Sequence, residues 1–284
     1  MGPISVVAVV AAYRPDDGLA DRLALISPQV ASTVVVDDGS GTPAPAGVEF
    51  IAFTENRGIA AALNAGIARA RELGATHVLT LDQDTELAAG YVTAAVDTFQ
   101  RAQTTRIGAA VVDVINASPS IPTWHSDDGI PLAPEAIQSG MLVALECIDD
   151  AGGLDERLFI DGVDREFCHR IRARGWAVAI ARGTSIDHTI GRLVPLRSGG
   201  AYEWHEPFRQ YYIARNGIIV AQRFRRVEPE WSKTLLRSTL EESWKVIWNG
   251  PGRLKHALAS LAGLVHGVFG RGGRIPRVLE RMLR

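Results

Sequence analysis

Residues 77–85 read HVLTLDQDT, a short apolar run that ends in two aspartates one residue apart. The run has the length and the aliphatic character of a buried strand. Because residues i and i+2 of an extended chain point to the same side, Asp82 and Asp84 can act on one ligand. Such carboxylates suit Mg²⁺ or Mn²⁺, which complete their coordination with water and substrate phosphates. A polar strand end that binds nothing is the alternative at this point.

An earlier apolar run ends in the same way. Residues 33–40 read TVVVDDGS, which places Asp37 and Asp38 where a parallel strand leaves its sheet. Ligands of open α/β sheets bind at these carboxyl ends. Asp, Gly and Ser also form turns, and a tight turn is the simpler explanation of this segment on its own.

Residues 55–66, between these two runs, read ENRGIAAALNAG. They predict a loop that opens an Ala-rich helix at Gly58, and the N-terminus of such a helix favours anions. A capped helix with small residues packed on the sheet is the alternative, and it explains the three alanines at least as well. Asn56 and Arg57 have no evident packing role and are therefore candidate ligand contacts.

Short runs rich in Val, Ile and Ala alternate with longer Ala-rich segments of helical periodicity along most of the chain. This alternation predicts an α/β fold, in which helices cover a sheet. The predicted strands are 4–12, 33–37, 48–53, 77–81, 107–114, 139–145 and 177–181, and the predicted helices are 17–26, 58–73, 88–103, 163–174 and 205–223. Residues 115–138 contain four prolines and are predicted to form a long loop, of the kind that often covers a site.

Acidic residues stand among apolar ones in residues 158–166, LFIDGVDRE, at the start of a predicted helix. Acids in a first helical turn complement the helix dipole, which gives a structural explanation. The apolar neighbours are nevertheless unusual for solvated acids, and an ionised carboxylate here can accept a proton from a hydroxyl. Further along, His188 can act as a neutral ligand that completes a carboxylate metal site, although a lone histidine is more often structural.

Composition excludes several classes of protein. The chain has 284 residues, 46% of them hydrophobic, which is enough to bury a core and argues against disorder. The formal net charge is −2, so no basic field attracts nucleic acid. Cys147 and Cys168 are the only cysteines, which excludes a disulfide scaffold and favours a reducing, cytoplasmic location. No apolar run reaches the roughly 18 residues that a membrane span needs.

Seven segments, in this order, resemble the inverting family 2 glycosyltransferases of the GT-A fold, and most closely the bacterial rhamnosyltransferases, with the galactofuranosyltransferases as neighbours. They fall within residues 4–217 and read VVVDDGS, NRGIAAALNAGIARA, LTLDQDTE, SGMLV, GGLDERLFIDGVDREFCHRIRARGW, DHTIG and RQYYIARN. The resemblance implies a Rossmann-like mixed sheet with helices on both faces. It also implies transfer of one sugar, with dTDP-rhamnose as the favoured donor, in the synthesis of cell-surface polysaccharide.

The resemblance further implies roles for individual residues. Asp84 and His188, together with Asp82, are expected to bind Mn²⁺ or Mg²⁺, and Asp37 is expected to bind the nucleobase. Asp164 is expected to be the catalytic base, which deprotonates an acceptor hydroxyl as its oxygen attacks the anomeric carbon from the face opposite the leaving group. The expected donor-nucleotide contacts are Ala12, Tyr13, Asp37, Asp38, Asn56, Arg57, Gly58, Asn64 and Asp82.

The chain departs from the family pattern in places. The base motif reads Gly-Val-Asp at residues 162–164 where many relatives have Glu-Asp, so Asp161 and Glu166 stay alternative bases. Asp38 stands where rhamnosyltransferases often have Asn, which keeps galactofuranose and other hexoses open as donor sugars. The Gln-x-x-Arg-Trp signature of processive synthases is missing, which implies one sugar per encounter.

Two hypotheses that assign the chain to other classes of protein stay open. A non-catalytic module that binds nucleotide sugars would keep Asp37 and Asp84, but the presence of Asp164 favours an enzyme. Haloacid-dehalogenase-like phosphatases also have paired aspartates after a strand, but theirs follow the first strand and precede Gly-Thr. In this chain the pair comes later and Thr85 stands one place too early.

The residues after 224 form a distinct basic segment. Residues 221–284 hold 13 Lys and Arg against 5 Asp and Glu, in a pattern of amphipathic helices. We therefore predict a catalytic domain over 1–224 and a helical extension over 225–284. An apolar stripe beside basic residues fits a helix that lies on the anionic inner face of the cell membrane, close to a lipid-linked glycan acceptor. Packing on the catalytic domain, or a homodimer, is the alternative.

Acceptor contacts are expected from aromatic and acidic residues, because aromatic faces stack on sugar rings. The candidates are Asp161, Trp124, His125, Trp204 and His205. Another group matches the family pattern but has no role that the sequence assigns. Its members are Tyr211, Tyr212, Arg215 and Asn216.

Overall fold

The computed structural model describes residues 3–120, 124–188, 192–195, 200–249 and 251–283. Residues 121–123, in the predicted loop over 115–138, lie outside the described residues. The chain divides into two compact units. The first comprises Met1–Asp155 and Asp164–Thr189, and we call it the sheet unit; the second comprises Glu156–Val163 and Ile190–Arg284, and we call it the helical unit.

Strands and helices alternate through the sheet unit, as the sequence predicts. In chain order they are β1 (Val6–Ala12), α1 (Leu19–Ile26), β2 (Ser32–Asp37), β3 (Glu49–Ala52), α2 (Ile59–Glu72), β4 (His77–Asp82), β5 (Glu86–Leu87), α3 (Tyr91–Arg101), β6 (Ile107–Ile115), β7 (Ser118–Pro119), β8 (Trp124–His125), β9 (Pro131–Leu132), β10 (Met141–Ala144), α4 (Leu145–Ala151), α5 (Val163–Arg172) and β11 (Ala177–Asp187). The predicted α/β class is therefore confirmed.

Eleven strands of the described chain form one mixed sheet, whose main path has the order β3-β2-β1-β4-β10-β6-β11-β9-β8. Strands β1 to β4 are parallel, whereas β10 runs antiparallel to both β4 and β6. The register sets Ala12 beside Asp37 and Ala11 beside Asp82. Both pairs of aspartates therefore stand at the carboxyl ends of β2 and β4, the two strands that flank β1, at one edge of the sheet.

Helix α2 packs on the sheet through small side chains. Ala60, Ala61 and Ala62 are buried, which confirms the packing explanation for them. Gly66 lies so close to the sheet that a Cβ there would stand 3.3 Å from a methyl carbon of Val36. The three alanines are therefore not candidate ligand contacts.

Some elements of the sheet unit differ from the prediction. The strand predicted over 139–145 is shorter, because Leu145 already begins the unpredicted helix α4, which buries Leu145, Ile148 and Ala151 at helical spacing. Strand β11 continues to Asp187 across a register shift between Ala181 and Ser185, six residues beyond its predicted end. The predicted loop over 115–138 contains the short strands β7, β8 and β9.

Among its described residues the helical unit contains a short 3-10 helix (Glu156–Leu158), two antiparallel strands and four α-helices. The strands and α-helices are β12 (Arg192–Pro195), β13 (Ala201–Trp204), α6 (Pro207–Phe224), α7 (Pro229–Asn249), α8 (Arg253–Val268) and α9 (Arg277–Leu283). Helix α6 packs against both α7 and α8. The approach of α8 is close, since a Cβ at Gly263 would lie 3.0 Å from the Cβ of Ala214.

The packing of α6 places it with the helices that follow it. The sequence places α6 with the catalytic domain and predicts an extension that starts at residue 225. In the structure α6 belongs to the same compact unit as the helices that follow it, because its buried face packs on them. No described helix is both long and apolar enough to cross a membrane.

Candidate active site

Two carboxylates and one imidazole converge at the edge of the sheet. Asp82, Asp84 and His188 each offer a ligand atom, and these atoms all lie within 4.8 Å of one another. The Nδ1 atom of His188 is 3.3 Å from a carboxylate oxygen of Asp84, and its Nε2 is 3.8 Å from one of Asp82. All three side chains are partly exposed, so solvent and ligands can reach them. The structure thus brings together the three residues expected to bind a metal.

Strand pairing explains how residues a hundred positions apart meet. Asp82 ends β4 and Asp84 lies in the turn that follows it. The chain then forms β5, which pairs antiparallel with the end of β11, so that Glu86 lies opposite Asp187. His188 therefore emerges next to the turn that carries Asp84.

The electrostatics of Asp84 favour its ionised form. Burial raises the pKa of Asp84, but the hydrogen bond and the charge of His188, with a further contribution from the charge of Arg22, more than offset that effect. The net pKa lies below the ordinary value. A carboxylate that stays ionised beside a second carboxylate and an imidazole is the donor set expected of a site for a hard divalent cation.

Residues around this cluster orient its side chains. Thr85 Oγ1 lies 2.6 Å from Ser139 Oγ and 3.1 Å from His188 Nδ1. Ser139 Oγ accepts a hydrogen bond from the backbone N–H of Asp82 at 3.0 Å. Asn116 fixes the backbone of His188 at both ends, donating to its carbonyl and accepting from its N–H. Sequence reasoning missed these supporting roles, although Thr85 and Ser139 lie in the motifs LTLDQDTE and SGMLV.

Gln138 adds a polar atom to the same place. Its Nε2 donates a short hydrogen bond to the carboxylate of Asp82. Its Oε1 is buried and accepts no hydrogen bond from the residues that the structure describes. A buried acceptor of this kind requires a donor, and a ligand hydroxyl can supply one. No sequence signal other than the neighbouring SGMLV motif pointed to this residue.

The first aspartate pair shapes a turn and a helix start. Asp37 is fully buried, and its carboxylate accepts hydrogen bonds from the backbone N–H of Gly41 at 2.8 Å and from Ser40. Asp38 accepts from the N–H groups of Arg57 and Gly58, at 2.6 and 2.9 Å, directly before α2. Burial raises the pKa of Asp38 above its ordinary value, although these two hydrogen bonds oppose the shift.

Gly39, between the turn and this loop, leaves no room for a side chain. It has a φ of +78°, and a Cβ there would lie 2.7 Å from the Cα of Glu55. The loop before α2 is therefore held tightly against the end of β2. Within that loop the Arg57 guanidinium lies over the Phe53 ring, 4.6 Å from its centre, and its side chain is exposed to solvent.

Two other expected donor contacts, Ala12 and Tyr13, lie in a stretch of backbone that a side chain holds in place. The side-chain amide of Gln83, between Asp82 and Asp84, pairs with the backbone N–H and C=O of Tyr13, at 2.6 and 3.2 Å. Tyr13 and Ala12 consequently lie level with the second aspartate pair. Asn64 is different, because its amide forms a double hydrogen bond with the backbone of Leu154 and so ties α2 to a loop.

The acidic residues within 158–166 have different environments. Asp164 lies in the first turn of α5, partly exposed, and its carboxylate accepts a hydrogen bond from the N–H of Arg165 at 2.7 Å. Glu166 is fully buried and forms a double hydrogen bond with Arg170. Asp161, in the helical unit, pairs with Arg209 through two guanidinium nitrogens at 3.0 Å. Glu166 and Asp161 are thus each bound to an arginine, and Asp164 is partly exposed in the first turn of α5.

The candidate acceptor residues lie in both units. In the sheet unit, Trp124 and His125 form the exposed strand β8, and the Arg172 guanidinium lies 5.2 Å from the Trp124 ring. In the helical unit, the Trp204 ring packs 5.8 Å from that of His256, and His205 Nε2 lies 3.6 Å from Glu203. Burial lowers the pKa of His205, and the charge of Arg209 lowers it further.

Comparison with known proteins agrees with this geometry. The family described as glycosyl transferase family 2 matches residues 9–141. The chain is 27% identical over 239 residues to the dTDP-rhamnosyl transferase RfbF of Shigella flexneri, a match that covers 77% of this chain and 80% of RfbF.

Solved structures share the fold. The structure of S. aureus TarS 1–349 in complex with UDP-GlcNAc superposes with a TM-score of 0.59 at 12% identity, covering 99% of this chain and 84% of that one. The structure of GalNAc-T7 with UDP, GalNAc and Mn²⁺ gives a TM-score of 0.55 at 12% identity and covers 66% of this chain, which spans only 44% of that protein. The predicted GT-A fold is confirmed by these matches. Taken with the strand-end carboxylates and with the glycosyl transferase family 2 match over residues 9–141, they show that the chain is a glycosyltransferase, similar to the family 2 rhamnosyltransferases, that uses a nucleotide-sugar donor.

Proposed function

We propose that the chain transfers rhamnose from dTDP-rhamnose to a hydroxyl of a glycan or lipid-linked glycan, with inversion at the anomeric carbon and with dependence on Mn²⁺ or Mg²⁺. The observation that carries the proposal is the convergence of Asp82, Asp84 and His188 within 4.8 Å. The donor sugar rests on the likeness to RfbF, which is named a dTDP-rhamnosyl transferase. Galactofuranose or another hexose is the alternative donor sugar.

The three converging side chains fit a divalent cation. Two carboxylates and an imidazole supply hard oxygen ligands and one nitrogen, and their partial exposure leaves positions for the phosphates of a donor. Asp82, Asp84 and His188 would hold the ion. When bound, it would supply positive charge that stabilises the departing nucleoside diphosphate.

The donor nucleotide would lie along the ends of β1, β2 and β4. The partly exposed residue Tyr13 and the loop before α2 supply surfaces for the base and ribose, and the start of α2 favours a nearby anion. We assign Asp37 and Asp38 mainly to shaping this surface, because their carboxylates already accept backbone hydrogen bonds. We expect Gln138 Oε1 to accept a hydrogen bond from a donor hydroxyl.

Asp164 would act as the base. Its carboxylate takes the proton of the acceptor hydroxyl while the oxygen forms a bond to the anomeric carbon and the bond from that carbon to the diphosphate breaks. The products are the glycosylated acceptor, a protonated Asp164 and the nucleoside diphosphate. Trp124, His125, Trp204, His205 and Asp161 remain proposed acceptor contacts.

A panel of nucleotide sugars tests donor and metal together. Thermal unfolding of the protein is followed with dTDP-rhamnose, UDP-galactofuranose, UDP-GlcNAc and GDP-mannose, each with Mn²⁺ or with EDTA. A ligand that binds the folded state raises the free energy of unfolding, by about 2.7 kcal/mol at a concentration a hundred times its dissociation constant. The melting temperature rises accordingly. We expect the largest shift with dTDP-rhamnose and Mn²⁺, and loss of that shift with EDTA.

Matched variants show whether the site itself is responsible. Asp84→Asn and His188→Ala should lose the Mn²⁺-dependent shift, whereas Glu86→Gln, which removes an exposed acid two residues from Asp84, should keep it. A shift of equal size in Asp84→Asn would refute the metal site. An equal response to all four sugars would refute the rhamnose assignment but not the transferase.

We also propose that the helical unit lies on the inner face of the cell membrane. Helix α8 presents an outer stripe of exposed apolar side chains opposite its buried face. The stripe consists of Leu254, Leu258, Leu261, Val265, Val268 and Phe269, of which Leu254 and Phe269 are 88% and 82% exposed. Residues 250–284 hold seven arginines and lysines against one glutamate. Apolar side chains beside an excess of basic residues suit an anionic bilayer better than a second copy of the same basic surface.

Vesicle sedimentation distinguishes an anionic membrane from a second copy of the chain as the partner of this stripe. The protein should sediment with vesicles of phosphatidylglycerol and phosphatidylcholine but not with phosphatidylcholine alone. Leu254→Ser combined with Phe269→Ser should reduce the bound fraction, whereas Leu25→Ser, on an exposed position of α1, should not. The membrane proposal would be wrong if the protein bound no vesicles and formed a dimer in light scattering that the double variant lost. The apolar stripe would then bind a second copy of the chain.

A further inference from the structure

The segment that precedes the proposed base has an unusual backbone. Phe159, Asp161 and Gly162 have φ values of 67°, 65° and 75°. L-residues other than glycine rarely adopt this left-handed region, and they keep it only where surrounding contacts hold them there. Two such residues within three positions indicate that something imposes this conformation. The contacts come from helix α6, in the same helical unit.

Asn216 on α6 makes the densest set of these contacts. Its amide nitrogen Nδ2 donates to the carbonyl oxygens of Leu158, Ile160 and Asp161, at 2.9, 2.7 and 2.7 Å. Asn216 is 1% exposed. One buried amide thus holds three carbonyl groups that a left-handed backbone turns away from regular secondary structure.

Arg215, the preceding residue, holds both the segment and Asn216. Its Nε donates to Oδ1 of Asn216 at 2.9 Å, which fixes the orientation of that amide. Its Nη2 donates to the carbonyls of Arg157 and Leu158, and its Nη1 donates to that of Gly273 in the turn before α9. Arg215 is fully buried, and it bridges two stretches of chain that are far apart in sequence.

Two further contacts fix side chains of the segment. The Tyr212 ring stacks on Phe159 with ring centres 5.0 Å apart and planes 10° apart. Arg209 pairs with the carboxylate of Asp161. Both residues of the segment that bear a side chain at positive φ are therefore held by α6, one by an aromatic stack and one by an ion pair.

We propose that Arg209, Tyr212, Arg215 and Asn216 are positioning residues for catalysis, which fix residues 157–162 so that the chain enters α5 with Asp164 in a productive orientation. The proposal rests on the proposed role of Asp164 as the base. Helix α5 begins at Val163, one residue after the left-handed stretch, so a change of backbone there alters the direction in which the helix starts. This gives a role to four residues of the RQYYIARN motif to which the sequence assigned none beyond family likeness.

The sharpest test compares two buried amides on α6. Asn216→Ala removes the donors to the segment. Asn216→Asp keeps the shape but sets a carboxylate against three carbonyl oxygens. The control is Gln210→Ala, because Gln210 is also 1% exposed but donates to Ser243 and Ser260 on α7 and α8 instead. Each variant is measured for its melting temperature, its dissociation constant for dTDP with Mn²⁺, and its turnover of dTDP-rhamnose with a panel of octyl glycosides, with release of dTDP to water as the reference rate.

We expect both Asn216 variants to lose about 10- to 100-fold in kcat, because misplacement of a catalytic group by an ångström has effects of this size. Their affinity for dTDP should stay within about twofold of the unaltered protein. Gln210→Ala should lower the melting temperature but keep kcat. Amide hydrogen exchange should become faster in residues 157–162 of the Asn216 variants alone.

Asp164→Asn, measured alongside, separates the two proposals. If Asp164→Asn loses turnover while Asn216→Ala keeps it, the positioning role is wrong and the base stands. If Asp164→Asn keeps turnover, the proposed base is wrong. Equal losses of kcat in Gln210→Ala and Asn216→Ala would also overturn the positioning role, because general loosening of α6 would then explain both.

Discussion

The strand ends around Asp82 and the buried face of α6 both contain several polar side chains, but these side chains have different partners. At the strand ends, two carboxylates and an imidazole approach one another, within 4.8 Å and in reach of solvent. On α6, Arg215 and Asn216 are buried and donate to backbone carbonyl groups within the same unit. Like charges brought together call for a ligand, whereas matched donors and acceptors hold a backbone in place.

This difference indicates how the two kinds of residue should respond to substitution. A change at the strand ends should alter ligand binding and leave the fold nearly intact, because those side chains contribute little buried apolar surface. A change on α6 should alter the backbone near Asp164 and the stability of the helical unit.

Replacement of the proposed base should have the largest effect. Asp164→Asn should reduce kcat by about 10³-fold, within the usual range for loss of a general base, and should leave the affinity for dTDP and Mn²⁺ unchanged. Glu166→Gln, in the same helical turn, should keep kcat and lower the melting temperature, because Glu166 is buried against Arg170. Rate measurements with dTDP-rhamnose test both. Loss of kcat in Glu166→Gln and not in Asp164→Asn would move the base to Glu166.

Loss of a residue that orients the proposed metal ligands should have the next largest effect. Thr85→Val keeps the size of the side chain but removes the hydroxyl that contacts Ser139 and His188. Loss of such an orienting contact typically weakens metal affinity by about 10- to 100-fold. Titration with Mn²⁺, followed by calorimetry in the presence of dTDP, measures the effect. Thr98→Val is the matched control, since Thr98 is also buried and its hydroxyl donates to the carbonyl of Ala94 in its own helix. Equal losses in both variants would mean that Thr85 has no role at the proposed site.

The two faces of α8 should differ in stability. Gly263→Val forces a side chain against Ala214 and the backbone of α6, and overpacking of this kind costs about 1–3 kcal/mol. Leu261→Ser changes an exposed residue, 63% accessible, and should change the free energy of unfolding by less than about 0.5 kcal/mol. Urea unfolding of both variants measures the difference. Similar losses would mean that the outer stripe is covered by another surface in solution.

A histidine away from both sites should give the smallest effect. Burial at the start of β4 lowers the pKa of His77 to about 4, from an ordinary value of 6.5. The unfolded chain therefore binds a proton more readily, so stability should fall as the pH drops from about 6.5 towards 4, by about 1 kcal/mol since the ring is partly exposed. His77→Gln should flatten this part of a curve of melting temperature against pH. An unchanged slope would mean that other groups cause the acid sensitivity.

Local patterns in the sequence predicted much of the sheet unit. The alternation of apolar strands and Ala-rich helices, and the positions of both aspartate pairs, depend on side chains within about ten residues of one another. The short helix α4 was missed, because its apolar residues continue those of β10 and give no local signal for the change at Leu145. The roles of Gln138 and Asn116 were also missed, since each acts on a residue more than fifty positions away.

The sequence by itself determined the chemical character of the site: carboxylates at the ends of parallel strands, a histidine after a later strand, and an acid at the start of a helix. These follow from residue type and periodicity, which are local properties. The tertiary structure decided which groups meet and which are already occupied. Pairing of β5 with β11 brings His188 to Asp84, and α6 brings Asn216 to the segment before Asp164. Contacts between distant segments depend on how whole elements pack, and no short pattern in the chain specifies them.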